Sequence, residues 1–242
     1  MQTNRIKIIG QVPMKSELPR ERILSRSKRR LIFLLSPANA SRVRGNLLLA
    51  GPANFALARR LRDEGASLGE IFSFISGLYF RGKLAYARAY ADPPPGVPAI
   101  AVITASGGLV SPDKVLKLEE LRQIVAGRVD ASDLRYRVPL DSDARLLRDS
   151  VGMDCDVVLL GSIATPKYVD PLLDVFGEQL MFPSEFVGRG DMSRGSLLLR
   201  CVREDIQLAY VPAGEAVRRG ARPPKLPQVA RRVVEDGRKP GL

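Results

Sequence analysis

Small and polar residues follow three apolar segments of this chain, and their types are those that could bind or transform a ligand. The apolar segments are residues 31–35, 100–103 and 157–160. The small and polar residues that follow them are Ser36, Asn39, Ser106, Gly107, Gly108, Gly161 and Ser162. Hydroxyl, amide and free backbone N–H groups in such turns can hold an anion, and paired glycines let a ligand approach the backbone closely. We therefore predict a ligand pocket at these turns.

The three apolar segments predict the elements that position this pocket. Short, continuous apolar runs are typical of strands that are buried on both faces, in a sheet that lies between helices. In such a sheet the ligand binds beyond the carboxyl ends of the strands. The sequence therefore predicts one α/β domain with a central, largely parallel or mixed sheet flanked by helices.

A second group of candidates lies in residues 79–90, where aromatic and basic side chains alternate. Tyr79, Arg81 and Lys83 precede or begin a helix that we predict over residues 83–91, and we interpret them as ligand-binding residues. Such a pattern can stack bases and contact phosphates. Tyr86 and Tyr90 are four residues apart, and this spacing favours a packing role on one face of the helix.

Two further segments contain charged candidates. Lys167 and Tyr168 lie at the start of a helix that we predict to open at Thr165-Pro166, after the third turn, and they complete the set of ligand candidates there. Residues 182–195 are predicted as a long loop in which glycines alternate with Arg189, Asp191 and Arg194. Two strands, over residues 197–202 and 207–211, are predicted to follow as a hairpin or a sheet edge. The two arginines could clamp an anionic or nucleobase ligand, or they could pair with Asp191 and stiffen the loop.

The chain contains no histidine, which is the most common general base and zinc ligand. Acid–base chemistry would have to use Asp, Glu, Lys, Tyr or Cys, and the first catalytic candidates are Asp191, Asp113 and Lys167. A carboxylate could act as nucleophile or base in glycosidic cleavage or base exchange. The sequence has neither a GxxxxGK[ST] loop nor a GxGxxG motif after a strand, and we predict no cofactor and no metal.

The net charge of +12 is concentrated at the two ends of the chain. Residues 1–30 contribute +7 and residues 212–242 contribute +5, whereas residues 31–211 contain 21 basic and 21 acidic residues. Basic ends on a neutral domain favour contact with a polyanion, because neutralised phosphates release counterions. The candidate nucleic-acid-binding residues are Arg26, Lys28, Arg29, Arg30, Arg218, Arg219, Arg222, Lys225, Arg231 and Arg232. Tails that only solubilise the chain, or that dock on a partner such as the ribosome, are the alternative.

These charges also suggest the domain limits: a basic N-terminal arm over 1–30, an α/β domain over 31–211, and a basic Pro/Arg-rich tail over 212–242.

No apolar run reaches the roughly 18 to 20 residues that span a membrane, and the N-terminus lacks the apolar core of a signal peptide. The two cysteines fit a reducing compartment. We therefore expect a cytoplasmic protein with no membrane partner.

Four short motifs occur in order within residues 31–180. They are Ser36-Pro-Ala-Asn39, Leu78-Tyr-Phe-Arg-Gly82, Ser106-Gly-Gly-Leu-Val-Ser-Pro-Asp113, and Gly161-Ser162 with Lys167-Tyr168. This order resembles the YaaA peroxide-stress family and a related group of uncharacterised α/β domains. The resemblance implies an α/β fold with a cleft, DNA binding linked to protection from oxidative damage, and an association with enzymes of nucleobase modification. The chain departs from the family at two positions. The family has lysine at the position of Asn39 and an acidic residue at the position of Lys167.

Together these features predict a nucleic-acid-binding protein with a cleft for a base, nucleoside or phosphate group, and the resemblance favours DNA over RNA. One alternative is an enzyme that acts on a nucleoside or a modified base. The other is a non-catalytic interaction protein that docks through its basic tails.

Overall fold

A computed structural model describes residues 29–224 and residue 226 of the chain. The described part contains a six-stranded sheet, a separate two-stranded ladder and eight α-helices. The strands are β1 (Arg30–Leu35), β2 (Ala66–Ser67), β3 (Ile100–Ile103), β4 (Leu109–Val110), β5 (Val115–Leu116), β6 (Cys155–Leu160), β7 (Leu180–Pro183) and β8 (Tyr210–Pro212). The helices are α1 (Val43–Leu49), α2 (Ala56–Asp63), α3 (Leu68–Ser76), α4 (Leu78–Tyr90), α5 (Leu118–Val125), α6 (Leu134–Val151), α7 (Pro166–Phe176) and α8 (Asp191–Glu204).

The main sheet has the strand order β4-β3-β1-β6-β7-β8. The four inner strands run parallel, and β4 and β8 pair antiparallel at the two edges. Residues 31–35 of β1 and all of β6 are buried, as expected for strands covered on both faces. The predicted single α/β domain with a mixed, mostly parallel sheet is confirmed. Within the described residues, no helix is long and apolar enough to cross a membrane.

The connections of the central strands change direction between β1 and β6. The chain leaves β1 through four helices and returns as β3 on one side, whereas it leaves β6 through α7 and returns as β7 on the other side. The crevice beyond the carboxyl ends of β1 and β6 is therefore the topological switch point, where α/β proteins bind their ligands.

Helix α4 begins earlier than the sequence predicted. Gly77 has φ +60°, a value that favours glycine, and this residue separates α3 from α4. Tyr79, Arg81 and Lys83 therefore all lie in the first two turns of α4 and not before it. Their helical positions decide which of them can reach the switch point.

Helix α8 replaces the loop end and the first hairpin strand that the sequence predicted over residues 191–202. Its buried residues Arg194, Leu197, Leu198 and Cys201 follow helical spacing, which alternating glycines and arginines had obscured. Gly195 lies against α4: a Cβ added there would lie 2.8 Å from the carbonyl oxygen of Leu78. A Cβ added to Gly82 would lie 2.8 Å from the carbonyl oxygen of Gly195, so the two glycines allow α4 and α8 to cross in backbone contact.

Candidate functional site

A cavity of about 370 Å³ lies beyond the carboxyl end of β1, between the turn after β3 and the start of α7, which follows β6, and we call it the switch-point cavity. Residues 37–41 after β1 form one wall, residues 125–130 form another, and Lys167 and Tyr168 of α7 form a third. Pro166 is the first residue of α7, where its fixed φ suits a helix start, and it places both ligand candidates in the first turn. The volume falls within the range of about 300 to 1,000 Å³ that small-molecule sites occupy.

The polar side chains of the cavity wall carry both signs of charge. Lys167 is half-buried and lies with its amine 4.9 Å from the centre of the Tyr168 ring, while Arg128 is exposed. The N–H and hydroxyl of Ser132 donate to Asp130 and lower the pKa of its carboxyl group, so Asp130 is ionised at neutral pH. The Asn39 side-chain oxygen accepts from the N–H of Ser41 at 3.0 Å, which leaves its amide N–H groups for a ligand.

A buried polar cluster formed by Ser36, Tyr79 and Lys83 lies at the switch point next to this cavity. The Lys83 side chain is only 1% exposed, and its amine donates to the Ser36 carbonyl oxygen and, at 2.8 Å, to the Ser36 hydroxyl oxygen. The backbone N–H of Ser36 donates to the Leu160 carbonyl at 3.2 Å. The amine lies 4.4 Å from the centre of the Tyr79 ring. This cluster thus joins α4 to the carboxyl ends of β1 and β6.

The charge state of Lys83 is unusual for a lysine. Burial lowers its pKa to about 7, the Asp191 carboxylate opposes this change, and the Arg194 guanidinium adds to it. Within the described residues, Lys83 forms no ion pair with a carboxylate. A large share of the amine is therefore neutral at neutral pH, with a lone pair available.

The two tyrosines beside Lys83 stay protonated. Burial raises the pKa of Tyr79 to about 12, an effect that Arg194 partly offsets. The Tyr79 hydroxyl is buried but makes no hydrogen bond of standard geometry within the described residues. Burial and the charges of Tyr79 and Asp191 also raise the pKa of Tyr168. Tyr168 lines the cavity, and its pKa responds to the charge of Tyr79, so the cavity and the buried cluster are electrostatically coupled.

The turn after β6 supports the same cluster. Gly161 is buried, and a Cβ added there would lie 3.1 Å from the Ser36 Cβ, so a larger residue would press on Ser36. The Ser162 hydroxyl accepts from the N–H of Ala164 at 3.3 Å. The structure thus places Gly161 next to Ser36, where its role in ligand binding stays a prediction, and it uses the Ser162 side chain to shape the turn before α7.

The polar residues and glycines of the turn after β3 are engaged in the fold and do not line the cavity. The Ser106 hydroxyl donates to the carbonyl of Gln123, and the N–H of Gly107 donates to the Thr104 hydroxyl at 3.0 Å. Gly108 has φ +64° and lies against Asp143, whose carboxylate accepts from the N–H of Leu109 at 2.9 Å. Within this turn it is Ala105 that lines the cavity.

The predicted pairing between arginine and aspartate in residues 188–195 does not form within the described residues. Arg189 donates to the Glu185 carbonyl at 2.9 Å and to the Ser193 hydroxyl, and buried Arg194 donates to the Phe186 carbonyl at 3.0 Å. Both arginines therefore hold the preceding turn against α8. Asp191 is exposed at the first position of α8, and its charge acts on Lys83 and on both tyrosines of the site.

Two other candidates lie apart from the cluster. Arg81 is exposed, and its position two residues from both Tyr79 and Lys83 puts it on the opposite side of α4. Asp113 is exposed and forms a salt bridge with Arg88. The catalytic roles predicted for Asp191 and Lys167 stay predictions.

The basic candidates divide into paired, exposed and undescribed residues. Arg29 pairs with Asp156 at 3.0 Å, Arg30 with Asp92 at 2.9 Å, and Arg218 with Asp170 at 2.8 Å. Arg219 and Arg222 are exposed. The candidates that lie outside the described residues are Arg26, Lys28, Lys225, Arg231 and Arg232.

Sequence reasoning missed Arg128 and Asp130, because residues 127–142 read only as a polar segment. It named Ser36 and Lys83 separately, 47 residues apart, and did not pair them. No group of three or more Cys, Asp or Glu residues in the described part of the chain could hold a metal ion. The chain matches no family model, no curated protein and no solved structure.

Proposed function

We propose that this protein binds nucleic acid and holds a base, nucleoside or phosphate group in the switch-point cavity. The observation that carries the proposal is the cavity itself, which lies at the carboxyl ends of the parallel strands and has cationic, amide and aromatic groups in its wall. This is the place in an α/β fold where backbone and side chains converge on a ligand.

The cavity wall offers a separate partner for each part of a nucleotide. Lys167 and Arg128 are cations that suit a phosphate group. Asn39 and Asp130 can donate to and accept from a base edge or ribose hydroxyl, and the rings of Tyr168 and Phe72 give apolar surface. A nucleotide at the end of a strand, or one turned out of a strand, is the ligand that this set of groups fits best.

The basic ends of the chain supply a second, less specific contribution. Contacts to phosphates position a protein on nucleic acid without reading sequence, and their affinity falls steeply with salt. The +7 of residues 1–30 and the +5 of residues 212–242 suit this role. We therefore assign general affinity to the ends and recognition of one nucleotide to the cavity, with DNA as the preferred polymer.

The test measures the affinity of the protein for labelled single-stranded DNA, duplex DNA and RNA across a salt series, and it separates these two contributions. The full chain is compared with residues 29–226, which keep every described element, and with a full-length R128A/K167A variant. The matched control is K114A/R145A, because Lys114 and Arg145 are exposed and neither lines the cavity. Trimming removes eleven basic and four acidic residues and lowers the net charge from +12 to +5.

We expect trimming to reduce the slope of log affinity against log salt, since fewer phosphates are neutralised. We expect R128A/K167A to lose at least about 10-fold more affinity than K114A/R145A, because a pair of specific phosphate contacts contributes more than general charge does. No measurable binding to any of the three polymers would overturn the proposal. If R128A/K167A and K114A/R145A lose equal affinity, the cavity does not contribute to nucleic-acid binding.

A further inference from the structure

We propose that Ser36 and Lys83 form a serine–lysine catalytic pair that cleaves a carboxylic ester bound at the switch-point cavity. Ser36 is the nucleophile, Lys83 is its general base, and the Tyr79 hydroxyl donates to the oxyanion that forms. This inference goes beyond nucleic-acid binding and does not depend on it.

The geometry of the pair meets the requirement for an activated nucleophile. The Lys83 amine lies 2.8 Å from the Ser36 hydroxyl oxygen and donates to it, while the hydroxyl donates to the Leu160 carbonyl at 3.3 Å. When the amine is neutral, rotation of the hydroxyl turns its proton toward the amine, at a distance where a base can take the proton of a nucleophile. A second contact fixes the base, because the same amine also donates to the Ser36 carbonyl oxygen. The nucleophile is fixed by its backbone N–H, which donates to Leu160 in the neighbouring strand.

The surroundings of Lys83 favour a neutral amine. Helix α8 presents the Arg194 guanidinium and the Asp191 carboxylate to it, and β1 presents only the uncharged Ser36. Its own helix places the Tyr79 ring over the amine, and α3 packs Phe72 against Phe80 of that helix. An isolated ammonium group in such a place is costly, and the pKa of about 7 follows from this burial. A lysine that loses its proton near neutral pH can serve as a base.

The position of Ser36 connects the pair to a substrate. Ser36 is the last residue before Pro37 and Ala38, which line the cavity, and it is 5% exposed. Tyr168 lines the cavity, and its pKa responds to the charge of Tyr79 in the cluster. Ser36 itself lies behind this wall, so the proposed reaction requires the ester carbonyl to reach it past Pro37 and Ala38, with Lys83 away from bulk water.

The reaction balances without a cofactor. The Ser36 hydroxyl oxygen attacks the ester carbonyl carbon while its proton passes to the Lys83 amine, and the carbonyl oxygen becomes an oxyanion that accepts a hydrogen bond from Tyr79. The bond to the alcohol oxygen then breaks, and Lys83 returns the proton to that oxygen. Water attacks the acyl-serine with Lys83 again as base, and the ester and water are converted into a carboxylic acid and an alcohol.

The hydroxyl of Tyr79 gives this scheme its oxyanion donor. It is buried and makes no hydrogen bond of standard geometry within the described residues, and Arg194 is the neighbour that interacts with it. Its pKa of about 12 keeps the proton in place to be donated. In the proposed mechanism the oxyanion formed at Ser36 becomes the acceptor for this hydroxyl in the transition state, an arrangement that accelerates acyl transfer.

The experiment treats the full chain with a fluorophosphonate probe and with p-nitrophenyl acetate, and locates the label by mass spectrometry. We expect the label on Ser36, with a rate that rises with pH around a midpoint near 7. S36A should abolish the label, whereas K83M and Y79F should each slow labelling by about 100-fold or more. The matched controls S111A and K114A, both at exposed positions outside the cluster, should label like the wild type.

Circular dichroism establishes which variants are folded, and the wild-type result does not depend on any of them. A wild-type chain in which Ser36 is not labelled by either probe would overturn the proposal. Labelling that is independent of pH, or that is unchanged in folded K83M, would also overturn it, because either result removes Lys83 as the base. The probes contain no nucleotide, so a negative result here leaves the nucleic-acid proposal to its own test.

Discussion

Lys83 has its amine inside the protein and no carboxylate that neutralises it within the described residues. Most buried lysines are paired or lose their proton, because the ammonium form is poorly solvated there. Here the amine contacts Ser36 twice and lies over the Tyr79 ring, so it is held in place by neutral groups. The reactivity proposed for Ser36 therefore depends on the protonation state of this one side chain.

This protonation state predicts a pH-dependent stability. The pKa of Lys83 is about 7 in the folded protein and 10.5 in an unperturbed lysine. Between these values the unfolded chain binds the proton and the folded chain does not, so the free energy of unfolding rises with pH across this window. Relative to K83M, the wild type should gain about 1.4 kcal/mol per pH unit between about pH 7 and pH 10, and nothing below.

Urea denaturation of the two proteins at several pH values measures this difference. The tyrosines near the site titrate above this window and are the same in both proteins, so their contribution cancels. Parallel curves for wild type and K83M would show that the amine has an ordinary pKa, and would remove the physical basis of its role as a base.

At the scale of elements, the contact between α4 and α8 holds the site together. Helix α4 carries Tyr79 and Lys83, and α8 carries Asp191 and Arg194, which act on them. The two helices approach this closely because Gly82 and Gly195 face each other. The spacing of these helices therefore sets both the burial and the electrostatics of Lys83.

We predict that G195A destabilises the protein and disturbs the site. The new Cβ would lie 2.8 Å from the Leu78 carbonyl oxygen and 2.9 Å from the Tyr79 Cα, and both are backbone atoms that cannot move independently. We expect a loss of about 1 to 3 kcal/mol in the free energy of unfolding, measured by chemical denaturation. G51A is the control, since a Cβ at Gly51 meets nothing within 4 Å, and it should change stability little. Equal stability of the two variants would contradict the close packing.

The sequence predicted those elements whose signal is local. Buried strands such as β1 and β6 are continuous apolar runs, and Thr165-Pro166 marks the start of α7. Helix α8 was missed because Gly190 and Gly195 resemble loop residues in the sequence. Gly190 directly precedes the helix, whereas Gly195 lies within it and allows α8 to touch α4.

The sequence also predicted only those parts of the site that local signals indicate. The carboxyl ends of parallel strands meet at one edge, so Ser36 and Gly161 could be placed together from the sequence. In contrast, the Ser106 hydroxyl donates to the Gln123 carbonyl of α5, and Gly108 lies against the Asp143 carboxylate of α6. Those partners are distant in the sequence, so no local sequence pattern predicts these contacts.

In the whole molecule, the excess positive charge and the cavity lie in different parts of the chain. The ends of the chain carry the whole excess of positive charge, and residues 31–211 are neutral as a set. The cavity, in contrast, lies within this neutral part, where two cations and one carboxylate line it. This separation is what we expect if the ends attract a polyanion and the cavity selects one of its units.

The most direct test of this account is to ask where a base lies when nucleic acid is bound. A single-stranded oligonucleotide with one 4-thiothymidine is irradiated with the full chain, and the cross-linked peptide is identified by mass spectrometry. We predict that the cross-link falls on the rings of the cavity wall, Tyr168 or Phe72, and that it is reduced in R128A/K167A more than in K114A/R145A. Cross-links confined to residues outside the cavity, and equally strong in both double variants, would contradict the claim that the cavity holds the base.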